Sequence, residues 1–258
     1  MFVHPTMLIN KREHLAFLLI MWIKIVFSVV CITLAIFLIT YNTDEKIVVV
    51  SNGAMVNKFN PGNKNTDMCN ELGISGKFVV SYIGAHGISQ GVETIMEAAG
   101  ILKYRTDITF MLVGEGAMKK AMVVMKNDRD LQNVIMLPAQ LKERIPDLYR
   151  ASDVCIVPLR DVPLFDSFVP SKMFEIMSCG IPIIGSVNGE AREILELSKS
   201  ARIISPESVD ELVDSIEWMV DNPQERKVMG ASGRIFVCEN YNRTMLAKKY
   251  VNYLKRIV

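Results

Sequence analysis

Residues 168 to 184 hold the densest chemistry in the sequence: Phe168-Val169-Pro170-Ser171-Lys172-Met173-Phe174-Glu175, then Ile176-Met177-Ser178-Cys179-Gly180 and Ile181-Pro182-Ile183-Ile184. A turn ending at Pro170 hands over to a short helix with Ser171 as its N-cap, and Lys172 and Glu175 share a face of the first turn. Gly180 suits the left-handed position that ends a helix, and an apolar strand over 181–184 follows. A helix amino terminus offers unpaired N–H groups and partial positive charge to an anion. Lys172 adds a full charge, and the Glu175 carboxylate accepts two hydroxyl hydrogen bonds of the kind a ribose diol donates. Phosphate beside ribose describes a nucleotide. On spacing alone a plainer reading stands beside it: Ser171 caps the helix, and Lys172 and Glu175 form a surface ion pair.

Two glycine-bearing turns add to this segment. Gly84-Ala85-His86-Gly87-Ile88-Ser89-Gln90-Gly91 follows an apolar strand and precedes a helix, so its backbone amides can approach a phosphate. Gly114-Glu115-Gly116 repeats the arrangement one strand later. Each also reads as a bare strand-to-helix turn.

These turns need a frame that brings them to one edge, and the hydrophobic pattern supplies it. Apolar strands are expected at 78–83, 108–113, 133–137, 154–157, 181–184 and 202–204. Helices are expected at 92–104, from 117 through 125, at 142–150, in the first part of 171–184 and at 190–197. Val92, Ile95, Met96, Ala99 and Leu102 mark the buried stripe of the first of these. Near-continuous apolar strands alternating with helices describe an α/β fold, a doubly wound Rossmann-like parallel sheet covered on both faces. Such sheets bind ligands at the carboxyl ends of their strands. Ser205-Pro206 and Asn222-Pro223-Gln224-Glu225 read as starts of two later helices, and 243–257 as a basic terminal helix. Ile47 to Val50 reads as a short buried strand.

The chain has 258 residues, a net charge of +1, and half its residues apolar. No global field recruits nucleic acid. The five cysteines, Cys31, Cys69, Cys155, Cys179 and Cys238, show no metal-ligand spacing, and three of them sit in contexts typical of buried free thiols, which agrees with a reducing compartment. The organisation expected is an apolar, membrane-associated helix within residues 1–43, a strand and linker at 44–66, and a binding domain at 67–258. Residues 15–39 carry Lys24 as their single charge and are long enough to span a bilayer. A buried helix is the competing reading of that block.

The segment 168–184, the turn 114–116 and the stretch VVVSNGAMVNKFNP at 48–61 closely resemble the donor-binding, C-terminal half of retaining GT-B glycosyltransferases of the group 1 family. Within it the chain looks most like bacterial enzymes that add amino sugars during surface-polysaccharide assembly. The resemblance implies one half of a GT-B fold. It also implies transfer of a sugar from a nucleotide-diphosphate donor, a UDP-N-acetyl amino sugar, to a glycan or lipid-linked acceptor with retention. No protein nucleophile, cofactor or metal is implied. Lys172 becomes the catalytic cation on the leaving phosphate. Donor contacts fall on Gly84, His86, Gly87, Gln90, Gly114, Glu115, Gly116, Leu137, Phe168, Val169, Ser171 and Glu175. Glu175 grips the ribose, the Phe168 and Val169 amides face the phosphates, and the backbone at Leu137 flanks the base.

The chain departs from the family pattern in two places. Ala85 and Gln90 stand where the family carries Arg and Lys, which leaves His86 as the nearby group. Ser167 stands where the family's first glutamate holds the transferred sugar. Because nucleotide sugars are cytosolic, the expected location is the cytoplasmic face of the plasma membrane. The alternative function is a donor-binding half that needs a separate acceptor-domain partner, or an inactive truncated product. A sugar-nucleotide epimerase of related fold is disfavoured by the scarcity and placement of His4, His14 and His86.

Overall fold

A computed structural model of the protein describes residues 48–257. The apolar block at 15–39 and Cys31 lie outside them. Among the described residues no helix is long and apolar enough to cross a membrane. The expected placement at a membrane face rested on that block and is withdrawn.

Six strands form one sheet: β1 (Phe78–Ile83), β2 (Ile108–Val113), β3 (Val134–Leu137), β4 (Val154–Pro158), β5 (Ile183–Ser186) and β6 (Ala201–Ile204). Their order is β3-β2-β1-β4-β5-β6, and every pairing is parallel. Phe78 to Ile83 run in register with Ile108 to Val113, and Val80 pairs with Val154. The order reverses between β1 and β4, which is where an open parallel sheet leaves a crevice at its carboxyl edge.

Helices connect and cover the strands: α1 (Thr66–Glu71), α2 (Val92–Ile101), α3 (Lys119–Asp128), α4 (Ile145–Ala151), α5 (Lys172–Ser178), α6 (Gly189–Ser198), α7 (Val209–Asp221), α8 (Pro223–Asn240) and α9 (Arg243–Ile257). Alternating strand residues serve the two faces, as a pleated strand requires. Val79 and Ile83 join Leu148, Phe174 and Val237 in one apolar layer. Val80 and Tyr82 join Ile95, Met122 and Leu212 in the other. Cys69, Cys155 and Cys179 are buried free thiols.

Several local expectations are corrected. Val48 to Val50 form no strand, and Val49 is 77% exposed: β-branched composition favours a strand only where a pleated, half-buried surface receives it. The strand expected at 181–184 is displaced to Ile183–Ser186 because Pro182 lacks an amide for the ladder. Ser208, not Ser205, caps α7, its hydroxyl accepting from the Glu211 amide. Asn222 makes no capping bond to α8; its amide nitrogen donates back to the Trp218 carbonyl at 2.8 Å. Ser171 also caps nothing. It already has helical angles (φ −59°, ψ −23°), so its hydroxyl does not reach the amides of α5. Gly180 does take the left-handed conformation, φ 72°.

Candidate functional site at the carboxyl edge

The two glycine turns interlock at the ends of β1 and β2. The Gly84 amide donates to the Val113 carbonyl at 2.8 Å and the His86 amide to the Glu115 carbonyl at 2.8 Å. The Met118 amide closes the pair on the His86 carbonyl at 2.9 Å. A Cβ at Gly114 would collide with the Gly84 carbonyl, and one at Gly116 with the His86 backbone. Both positions also have positive φ, 146° and 156°, so glycine is required twice over. The amides of Ala85, Gly87, Glu115 and Gly116 have no acceptor among the described residues. Residues 85, 115 and 116 are exposed. An anion at this edge therefore finds several unbonded donors.

Lys172 reaches this edge from α5, which follows β4, and so crosses the switch point to meet the end of β1. Its Nζ stands 4.1 Å from the centroid of the Tyr82 ring. A Cβ at Gly84 would strike that ammonium. No carboxylate of the described residues lies within 4.0 Å of it. The surface ion pair between Lys172 and Glu175 is therefore not formed. Burial lowers the Lys172 ammonium to about 8, with Cys155 and Glu175 opposing. Glu175 is partly buried, and burial raises its carboxyl above the usual range against Lys142, Arg243, Lys58 and Lys172.

His86 is fully buried, and both ring nitrogens lack hydrogen-bond partners among the described residues. Its ring centroid is 5.8 Å from that of Tyr82. Burial, then Lys119 and Lys172, push the imidazole down to about 4. His86 is thus neutral at pH 7 and does not replace the missing loop cations.

The remaining expected contacts divide. Gly84, Gly114 and Glu115 line a cavity of about 320 Å³ together with Ala139, Gln140 and Ile145. Val169 lines a separate cavity of about 460 Å³ with Asn52, Phe174, Glu190 and Tyr241. The Phe168 amide is already bonded to the Phe165 carbonyl at 3.0 Å, and its side chain is 49% exposed, so that amide is not free for a phosphate. The Leu137 carbonyl is also occupied: the Gly114 amide reaches it at 3.2 Å and Lys119 Nζ at 2.7 Å. Ser171 is exposed. A Cβ at Gly87 would meet the Gln90 side-chain oxygen, so Gln90 folds back on its own loop.

Three supporting residues escape the sequence reading. Lys119 Nζ also donates to the Gly114 carbonyl at 2.8 Å, locking the second turn. Arg160 Nε donates to the Ile88 carbonyl at 2.6 Å while its guanidinium pairs with Glu207 at 2.7 Å and Glu93 at 2.5 Å. Tyr82 is the third. Arg160 follows the end of β4, and that carboxyl-edge position is the one signal that marks it. Among the described residues, no group of three or more His, Cys, Asp or Glu side chains is set to hold a metal ion.

Unbonded loop amides, an unpaired ammonium and a partly buried carboxylate one turn on suit a phosphorylated, hydroxyl-bearing ligand. Known proteins agree in fold. HepE of Anabaena, solved in complex with UDP and glucose, superposes with a TM-score of 0.72 at 18% identity over 85% of this chain and 59% of that one. The C-terminal domain of the group 1 glycosyl transferase LpcC of Francisella tularensis gives 0.63 at 20% identity, over 74% of this chain and all of that domain. In sequence, WcaI of Escherichia coli, named as a colanic acid biosynthesis glycosyl transferase, is 25% identical over 182 residues, 69% of this chain and 43% of that protein. The chain thus spans under half the length of that relative. The model of the family Glycosyl transferases group 1 matches residues 65–236, from just before α1 into α8, and the chain belongs to that family.

Proposed function

We propose that the carboxyl edge binds a nucleotide-diphosphate sugar, a UDP-linked N-acetyl amino sugar, whose sugar is passed with retention to a glycan or lipid-linked acceptor. One observation carries this reading: the Lys172 ammonium, without a carboxylate partner, lies against Gly84 beside turns with unbonded amides. An unpaired, partly buried cation is costly in an empty protein and is compensated when an anion arrives. The diphosphate sits against Lys172 and the amides of Ala85, Gly87, Glu115 and Gly116. Among the described residues the Glu175 carboxylate has no hydrogen-bond or ion-pair partner, and in this reading it accepts the ribose hydroxyls.

The chemistry asked of these residues is electrostatic. As the sugar leaves, negative charge grows on the departing phosphate, and the ammonium and amides stabilise it where it develops. His86, buried and held neutral, adds no charge to the site. The UDP of HepE and the polysaccharide role in the name of WcaI support the donor and the acceptor class, respectively. Calorimetric titration of the full chain with UDP- and GDP-linked sugars tests the reading. A UDP-amino sugar should bind while the free sugar does not; failure of every nucleotide sugar to bind would refute it.

A further inference from the structure

Tyr82 lies beneath the proposed donor site and meets Lys172, the first glycine turn and His86. It is fully buried near the end of β1, with its ring 4.1 Å from Lys172 Nζ. Its hydroxyl donates to the Ala85 carbonyl at 2.5 Å, inside the first glycine turn. Its ring is also a neighbour of the neutral His86 imidazole. A lysine side chain has a flexible four-carbon stem and ordinarily swings to water or to the nearest carboxylate. Here Glu175 is one turn away on the same helix, yet the ammonium rests on the ring. An aromatic face in a partly desolvated site holds a cation through its quadrupole without neutralising it. The charge stays available to an incoming anion, whereas a carboxylate partner would have consumed it. The same residue fixes the turn that supplies the amides.

We propose that Tyr82 is the positioning residue of this site: its ring seats the Lys172 ammonium and its hydroxyl seats the glycine turn, so one rigid side chain sets the spacing between cation and amides. The inference rests on the donor-site reading and adds the device that organises it. Tyr82 touches no ligand atom itself; it acts through Lys172 and the Ala85 carbonyl.

The test uses the full chain titrated with inorganic pyrophosphate and with UDP, alongside carbon-13 spectra of the lysine ε-methylene groups. Protons held over a ring face resonate upfield, so the Lys172 signal, assigned with Lys172→Ala, reports the seat directly. Tyr82→Phe keeps the ring and loses the hydroxyl; it should weaken pyrophosphate binding about fivefold and leave the upfield signal in place. Tyr82→Leu loses both; binding should fall roughly fiftyfold and the signal should return to the ordinary lysine position. The inference is overturned if Tyr82→Leu binds within twofold of the native chain, or if the native Lys172 signal is not upfield. Should Tyr82→Leu fail to fold, Tyr82→Phe decides alone: unchanged affinity overturns the inference. The two levels separate through Lys172→Ala. If that variant binds like the native chain, the donor-site reading falls too; if it is crippled while the Tyr82 variants are not, only the role of Tyr82 falls.

Discussion

Replacing Lys172 by alanine removes the ammonium that lies against Gly84 and leaves the loop amides untouched. At pH 7 a group titrating at about 8 is roughly nine-tenths charged, so nearly the whole population carries the cation to be lost. A charged hydrogen bond contributes about 1.5–3 kcal/mol, which is roughly 10- to 150-fold in a dissociation constant. Lys119 does not compensate, because its ammonium is committed to the Gly114 and Leu137 carbonyls. The empty protein has little to lose: burial already disfavours the Lys172 charge, and no protein carboxylate is orphaned by its removal. The expected result is UDP binding weakened by about two orders of magnitude at an unchanged or slightly raised melting temperature. Calorimetry with UDP at pH 7 and a thermal melt of the same sample measure both. Affinity within threefold of the native chain, with the fold intact, would refute the reasoning.

Other outcomes follow from the same structure. The folded Lys172 titrates at about 8 against 10.5 for the free side chain, so between those values the unfolded chain holds the extra proton. The burial penalty is fully present below pH 8, and stability rises with pH through that window. Urea titrations of native chain and Lys172→Met should converge toward pH 10, and a constant gap would contradict this. His86 titrates at about 4 when folded and 6.5 when free, so its contribution is intact above 6.5 and is lost as pH falls toward 4, by about 3 kcal/mol at the limit. His86→Phe should flatten that limb of the stability curve; an unaltered limb counts against a buried neutral imidazole. Gly114→Ala forces a Cβ onto the Gly84 carbonyl at φ 146° and should cost about 3–4 kcal/mol, a melting point lower by roughly 10 °C. A shift under 2 °C would show that the two turns do not interlock.

What could be read from the sequence was set by burial. β1, β2 and β4 are covered on both faces, so they appear as unbroken apolar runs, and α2 shows its stripe because one face packs on the sheet. Gly180 announced itself because few other residues accept its φ. Apolar pattern misled at Val48 to Val50, where the composition of a strand occurs on exposed backbone. Cap residues misled at Ser171, which already has helical angles, at Ser205, which stands three residues before the true cap, and at Asn222, whose side chain turns back to Trp218. The membrane placement drawn from residues 15–39 was not upheld by any described helix.

The site was legible in its residue types and illegible in its distances. Spacing placed Lys172 and Glu175 on one face and invited an ion pair. The structure turns Lys172 to Tyr82 and Gly84, nearly ninety positions earlier in the chain, which no local pattern encodes. The neutrality of His86 follows from burial beside two lysines on separate elements, again a matter of three dimensions. Lys119 and Arg160 look like ordinary surface charges until the carbonyls they hold are seen.

A crystal structure of the full chain with UDP would test the central claim most directly. A phosphate oxygen within about 3 Å of Lys172 Nζ, with the loop amides turned to the same phosphates, is the expected result. UDP bound away from Gly84, with Lys172 still lacking an anion, would contradict it.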